Sequence, residues 1–184
     1  MNTLIAVPPG KQTSTLAPLT TPANPKASGF DIKRILVPVD FSACSRKALQ
    51  YALAFAKQFG SEIVLLNVVQ VNIPVGEYSS IDFSELEAEV CRNSQEQLNE
   101  WAKKEVLEMA PVNVLLRTGS PASVIAEVAN HLTADLIVIS THGRTGLKHV
   151  WLGSVAENVV RLAPCPVLVV RQHEHEFVSP SMQT

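Results

Sequence analysis

Short apolar runs alternate with helical segments along most of this chain. Five runs have the length and the branched side chains of buried strands: Arg34–Val39, Glu62–Val69, Val112–Arg117, Ala134–Ile139 and Pro166–Val170. The segments between them have helical spacing: Ala43–Phe59, Ser84–Met109, Pro121–Leu132 and Ser154–Leu162. This alternation requires right-handed crossovers. It therefore predicts an α/β fold with a single doubly wound five-stranded parallel sheet, in three α/β/α layers.

Residues with special roles mark the ends of the predicted helices. Ser42 is an N-cap residue before the first helix, and Gly60 ends that helix. Ser120 and Pro121 are the N-cap and first residue of the third helix. The fourth strand is apolar throughout, which indicates a central strand covered on both faces. The long second helix is expected to turn these side chains inward: Leu86, Val90, Leu98, Trp101 and Leu107.

The length and composition indicate one globular domain between two tails. The chain has 184 residues, of which 46% are hydrophobic and 17% charged. Residues 1–30 are rich in Pro, Thr, Ala and Ser without periodicity, which predicts a disordered N-terminal tail. The domain is expected to span residues 31–172, followed by a flexible C-terminal tail at 173–184.

Charge and hydropathy argue against several partners. The net charge of −2 offers no basic surface for nucleic acid. No apolar run reaches the roughly 18–20 residues of a membrane span, and the N-terminus lacks the basic start of a signal peptide. A cytoplasmic location is therefore expected. The three cysteines are expected to be buried free thiols: Cys44, Cys91 and Cys165.

Two loops carry the residues that could bind a ligand. In doubly wound sheets, ligands bind beyond the carboxyl ends of the strands, where the strand order reverses. The loop after the first strand begins with Asp40, which is placed to hold ribose hydroxyls. The loop after the fourth strand reads STHGRTGLKHVWLGS, in which Gly143 allows close approach of the backbone to a phosphate. Gly153 and Ser154 open the last helix, whose N-terminus offers free N–H groups to an anion.

A simpler interpretation of the same residues remains open at this point. Asp40, Phe41 and Ser42 could be only a helix cap, and the glycines of the second loop could be only turn formers. Glycine-rich loops between a strand and a helix are common in α/β proteins. Composition alone does not separate a nucleotide site from such loops.

Several longer stretches resemble the universal stress protein family, of the A type. They are VPVDFSACSRKALQYA, LLNVV, RTGSPASVIAEVA and DLIVISTHGRTGLKHVWLGSVAENVVRLAPCPVLVVR, and together they cover Arg34 to Arg171. The resemblance implies a sheet with strand order 3-2-1-4-5. It implies a homodimer paired through the last strand, Val167–Arg171. It also implies ATP binding through a pattern of one glycine, two residues, a second glycine, nine residues, a third glycine and Ser or Thr.

This pattern carries over to the chain with one departure. The second and third glycines fall on Gly143 and Gly153, whereas the first falls on Ser140. The resemblance also implies that Val68 contacts adenine through its backbone; Asn67 precedes it where many relatives have His. The implied nucleotide-binding set is Pro38, Val39, Asp40, Val68, Ser140, His142, Gly143, Arg144, Gly153, Ser154 and Val155.

The function expected from these features is an ATP-binding regulatory module of a stress response. Hydrolysis should be slow at most, because the sequence has no P-loop lysine and no evident base. Any Mg²⁺ would be held mostly by the phosphates, with Asp40 nearby. The alternative is a dimeric interaction module of the same fold that binds no nucleotide; Ser140 is the feature that would favour it.

Overall fold

A computed structural model describes residues 31–70, 83–106, 109–142 and 152–171. The two predicted tails lie outside these ranges, and so does most of the glycine loop. Among the helices that are described, none is long and apolar enough to cross a membrane. These residues named from the sequence also lie outside the described ranges: Leu107, Gly143 and Arg144.

The five predicted strands form one parallel sheet. Their bounds are β1 Arg34–Pro38, β2 Glu62–Val69, β3 Val112–Thr118, β4 Leu136–Ser140 and β5 Val167–Val170. Their order across the sheet is β3-β2-β1-β4-β5, and every neighbouring pair is parallel. The predicted fold class and strand order are therefore confirmed. Strand β4 is buried at every position, as its continuous apolar sequence predicted.

The helices cover the two faces of the sheet. Their bounds are α1 Ala43–Phe59, α2 Phe83–Trp101, α3 Pro121–His131 and α4 Ser154–Leu162. Helices α1 and α2 share one hydrophobic cluster with the sheet, and α3 and α4 share the other. This arrangement places the sheet between two helical layers, as expected of right-handed crossovers.

The caps of α1 follow the sequence. The Ser42 hydroxyl accepts a hydrogen bond from the Ser45 N–H at 3.1 Å. Gly60 ends the helix with a left-handed backbone, at φ 71° and ψ 31°. Ser120 is the N-cap residue of α3 and is followed by Pro121, but its side chain makes no capping hydrogen bond.

The inward face predicted for the second helix is wrong over its first turns. Leu86 and Val90 are 52% and 40% exposed, and no residue from 85 to 97 is buried. Helical periodicity identifies an apolar face, but it does not show how much of the helix lies over the sheet. Leu98 and Trp101 are buried as predicted. Beyond Trp101 the helix changes to a π-helix, Ala102–Val106, which the sequence did not predict.

The three cysteines are free, as expected, but they are not fully buried. Cys44, Cys91 and Cys165 are all half-buried. Partial burial raises the pKa of the Cys44 thiol, and the negative charge of Asp40 raises it further. Burial likewise raises the pKa of the Cys165 thiol. Both thiols therefore stay protonated at neutral pH and are poor nucleophiles.

Candidate functional site

A cavity of about 270 Å³ lies at the carboxyl edge of the sheet, at the point where the strand order reverses. This volume is just below the range of about 300–1,000 Å³ for small-molecule pockets. The cavity is bounded by the ends of β1, β2 and β4 and by the first turns of α1, α3 and α4. Its lining residues are Pro38, Val39, Asp40, Ser45, Leu66, Val68, Pro121, Ile125, Ile139, Ser140, Thr141, Gly153, Ser154, Val155 and Ala156.

Most of the residues predicted for the site line this cavity. The structure brings together Pro38, Val39, Asp40, Val68, Ser140, Gly153, Ser154 and Val155. His142 is described but is not among the lining residues, and Gly143 and Arg144 lie outside the described ranges. The sequence therefore located both halves of the cavity wall, from the first strand and from the fourth.

The sequence reasoning missed the apolar floor and the contribution of α3. Leu66, Ile125 and Ile139 belong to the core cluster beneath the cavity. In sequence they look like ordinary core residues. Pro121 gave a usable signal, because the first residue of a helix that follows a parallel strand must lie at the carboxyl edge of the sheet.

Asp40 lies in a tight turn between β1 and α1. One oxygen of its carboxylate, Oδ1, accepts hydrogen bonds from the Ser42 hydroxyl at 2.6 Å and from the Ser42 N–H at 3.1 Å. The same Ser42 hydroxyl caps α1, so Asp40 is held against the start of that helix. The helix-cap interpretation is thus correct for this loop. It does not exclude a ligand role, because Asp40 also lines the cavity.

The backbone of β2 continues beyond its pairing with β1 beside the cavity. The Val39 N–H donates to the Leu66 carbonyl at 2.8 Å, and pairing of β1 with β2 ends at Pro38 and Leu66. The next carbonyl of β1, that of Val39, accepts from the side-chain amide of buried Asn67 at 2.7 Å. In a continued parallel ladder that carbonyl would accept from the Val68 N–H.

The register on the other side of β2 shows where Val68 points. The Gly119 N–H donates to the Val69 carbonyl, so Val69 turns its polar backbone groups toward β3. Leu66 turns its own toward β1, and successive residues of a strand alternate. The N–H and C=O of Val68 therefore both face the side where β1 has ended, next to the cavity. One donor and one acceptor are presented there side by side.

Hydrogen bonds close the base of the glycine loop. The Ser140 hydroxyl donates to the His142 carbonyl at 3.0 Å, and the Gly153 N–H donates to the Thr141 carbonyl at 2.8 Å. Thr141 Oγ1 and His142 Nδ1 are 2.9 Å apart. Ser140 is the last residue of β4 and is not among the described residues with a positive φ, so its backbone is one that any residue adopts.

The first turns of α3 and α4 face the cavity without side-chain caps. The N-cap residues Ser120 and Gly153 make no side-chain capping hydrogen bond, whereas Ser42 caps α1. Uncapped helix N-termini offer N–H groups and positive dipole ends to an anion. Of the described lining residues, Asp40 alone carries a charge. The described wall thus provides backbone donors, one carboxylate and an apolar floor.

Comparison with known proteins gives a family for this fold and cavity. A sequence model of the Universal stress protein family matches residues 31–171. Universal stress protein MJ0531 of Methanocaldococcus jannaschii is 38% identical over 151 residues, which cover 78% of this chain and 85% of that protein. Universal stress protein MJ0577 of the same organism is 31% identical over 159 residues, covering 76% of this chain and 95% of that protein.

Solved structures show the same relationship. The structure of MJ0577 superposes with a TM-score of 0.68 at 30% identity, covering 79% of this chain and all of that one. Universal stress protein UspA from Lactobacillus plantarum superposes with a TM-score of 0.66 at 27% identity, covering 77% and 99%. The part of this chain that these structures match corresponds to almost the whole of each of them.

Proposed function

The chain belongs to the universal stress protein family, and we propose that it binds ATP in the cavity at the carboxyl edge of its sheet. The observation that carries this proposal is the backbone of Val68, which lies beyond the end of the described β1–β2 pairing and beside an apolar cavity. One universal stress protein of this fold has been determined in complex with cAMP. Because that protein is only 22% identical to this chain, its complex supports the fold and not the ligand.

The base is recognised by the backbone of Val68. Adenine presents an acceptor at N1 beside a donor at N6. The Val68 N–H and C=O are the complementary pair, and they lie on one side of the strand. Burial of these backbone groups without partners would be costly, so the edge favours a base that satisfies both. Guanine and hypoxanthine present a donor at N1 and an acceptor at O6, which oppose both groups.

The sugar and the phosphates occupy the remaining walls. Asp40 accepts hydrogen bonds from ribose hydroxyls at the end of β1, opposite the base. The phosphates lie toward the uncapped N-terminus of α4, where Gly153, Ser154 and Val155 line the cavity. His142, Gly143 and Arg144 stay predicted contacts from the glycine loop. Mg²⁺, where present, is held by the phosphates with Asp40 nearby.

The protein acts as a regulatory module of a stress response rather than as an efficient ATPase. The sequence contains no P-loop motif, and the described cavity wall holds no histidine or lysine that could act as a base or neutralise a leaving phosphate. Nucleotide occupancy therefore serves to order the site and bias contacts with a partner. The cytoplasmic location predicted from the sequence stays a prediction.

We also propose that the protein forms a homodimer through β5. This strand lies at one edge of the sheet. The Val170 carbonyl accepts from the N–H of Thr141, the residue after β4, so the alternate residues Val167 and Val169 turn their N–H and C=O groups outward. An open strand edge of this kind is a template for pairing with a second strand.

A comparison of ATP with ITP tests the nucleotide site. The two ligands have identical sugars and phosphates and differ only at the edge that would meet Val68. Isothermal titration calorimetry should show tight binding of ATP and a loss of at least about 30-fold for ITP, because two hydrogen bonds become two opposed pairs. Equal affinities would refute recognition by Val68. No heat with ATP, and no nucleotide released from the denatured protein, would favour the non-nucleotide interaction module.

A further inference from the structure

Phe41 has a backbone conformation that is unusual for its side chain. It lies between Asp40 and Ser42 with φ at 66°, in the left-handed region that side chains with a Cβ seldom adopt. Apart from glycines, the described residues include one other such position, Thr133. Non-glycine residues persist in this region only where the surrounding structure holds them.

The side chain of Phe41 makes an aromatic contact. Its ring meets the ring of Trp101 edge to face, with centroids 5.5 Å apart and planes at 79°. This is the geometry preferred by aromatic pairs. Trp101 is buried and belongs to the core cluster on the α1 and α2 face of the sheet. The ring of Phe41 therefore turns into that core, whereas the neighbouring Asp40 lines the cavity.

Trp101 is also in contact with a charged side chain. The guanidinium of Arg46 lies over its ring at 5.0 Å, and Arg46 pairs with Glu105 at 2.6 Å. Glu105 lies in the π-helix that follows Trp101 in the chain. The ring that contacts Phe41 is thus fixed by a packed core on one side and by a stacked cation on another.

We propose that Phe41 is a positioning residue for the nucleotide site, and this inference rests on the proposed function. Anchoring of its ring against Trp101 keeps the backbone of the turn left-handed. That turn brings the Asp40 carboxylate within hydrogen-bond reach of Ser42 and against the cavity. Without the ring, the turn relaxes toward ordinary φ values, and Asp40 loses its orientation before a ligand arrives.

The matched control is Phe55, which packs against the same core from α1. Its ring stacks on Phe59 with centroids 6.1 Å apart, and neither residue lines the cavity. Phe55→Ala removes an aromatic contact of similar size from the same hydrophobic cluster. It should lower stability without affecting Asp40.

The first measurement needs no nucleotide. The solvent-exchange rate of the Ser42 amide, measured by NMR, reports the hydrogen bond from that N–H to Asp40. Phe41→Ala should increase this rate on the order of 10-fold, while Phe55→Ala leaves it unchanged. An unchanged rate in Phe41→Ala would overturn the proposal. This result is independent of whether ATP binds, so it separates failure of the positioning from failure of the proposed function.

The second measurement is a double-mutant cycle on ATP affinity. Phe41→Ala should weaken binding on the order of 10-fold, the loss expected when one hydrogen bond to a charged group is misaligned. In an Asp40→Ala background the same change should weaken binding less than about twofold, because the residue it positions is gone. Equal losses in both backgrounds would show that Phe41 affects binding independently of Asp40, and would refute the positioning role.

Phe41→Gly separates the ring from the turn. Glycine adopts a φ of 66° without strain, so this variant permits the turn but has nothing to anchor it. It should lose affinity as Phe41→Ala does. If Phe41→Gly binds ATP with wild-type affinity, a residue that merely allows the left-handed backbone is sufficient for binding. The proposed role of the ring contact with Trp101 would then be refuted.

Discussion

Gly153→Ala tests why the third glycine of the pattern is a glycine. A Cβ at this position would lie 2.8 Å from the Thr141 carbonyl oxygen, where ordinary contacts begin at 3.4 Å. The neighbouring atoms are backbone of the strand end, which cannot swing aside as a side chain can. The substitution must therefore push Gly153 and Thr141 apart by the missing 0.6 Å.

The cost of this displacement follows from two contributions. The hydrogen bond from the Gly153 N–H to the Thr141 carbonyl, 2.8 Å long, would stretch beyond normal range, a loss of about 1 kcal/mol. Overpacking against backbone adds at least about 1 kcal/mol. We expect the free energy of unfolding to fall by about 2 kcal/mol. For a chain of this size that lowers the melting temperature by about 4–8 °C.

The assay is thermal unfolding with and without ATP, with Gly60→Ala as control. Gly60 has φ at 71° and nothing within 4 Å of an added Cβ, so alanine there strains only the backbone, far from the cavity. Gly153→Ala should melt early even without nucleotide and should also lose the stabilisation that ATP confers. A nucleotide-free Gly153→Ala protein as stable as wild type would refute this reasoning, and the glycine would then serve the ligand alone.

Two further substitutions test the cavity wall and the dimer. Asn67→Leu removes the amide that donates to the Val39 carbonyl, so urea unfolding should show a loss of about 1–3 kcal/mol; unchanged stability would mean that water satisfies this carbonyl. Val169→Pro removes an N–H that points away from β4, so analytical ultracentrifugation should find folded monomers. The control Leu168→Pro breaks the β4–β5 ladder and should unfold this edge of the sheet. A Val169→Pro protein that is still dimeric would exclude pairing through β5.

The alternation of apolar runs and helices predicted most of the fold. The bounds of β2, α1 and α4 coincide with the prediction, and Ser42, Gly60 and Gly153 mark both ends of α1 and the start of α4 in sequence. The exposed first turns of α2 could not be predicted in this way. Periodicity reports which side of a helix is apolar, whereas Leu86 shows that an apolar side can extend beyond the sheet.

The site was predictable in position but not in geometry. Asp40 and Ser140 could be placed at the switch point, since each follows an apolar run in an alternating pattern. The left-handed backbone of Phe41 could not be read from sequence, because phenylalanine gives no local signal for a positive φ. The orientation of Val68 depends on where β1 stops pairing, which is a property of register rather than composition.

The structure changes which residues distinguish a nucleotide-binding chain from a non-binding one of the same fold. Gly153 is required by its own contact with Thr141, so its presence is expected whether or not a nucleotide binds. Ser140 has an ordinary backbone and directs its hydroxyl to the His142 carbonyl, so its Cβ is no argument against binding. Neither end of the glycine pattern therefore discriminates between the two functions. The feature that favours nucleotide binding is the backbone of Val68, because within the described residues pairing of β2 with β1 ends before it and the Val39 carbonyl accepts from Asn67 instead.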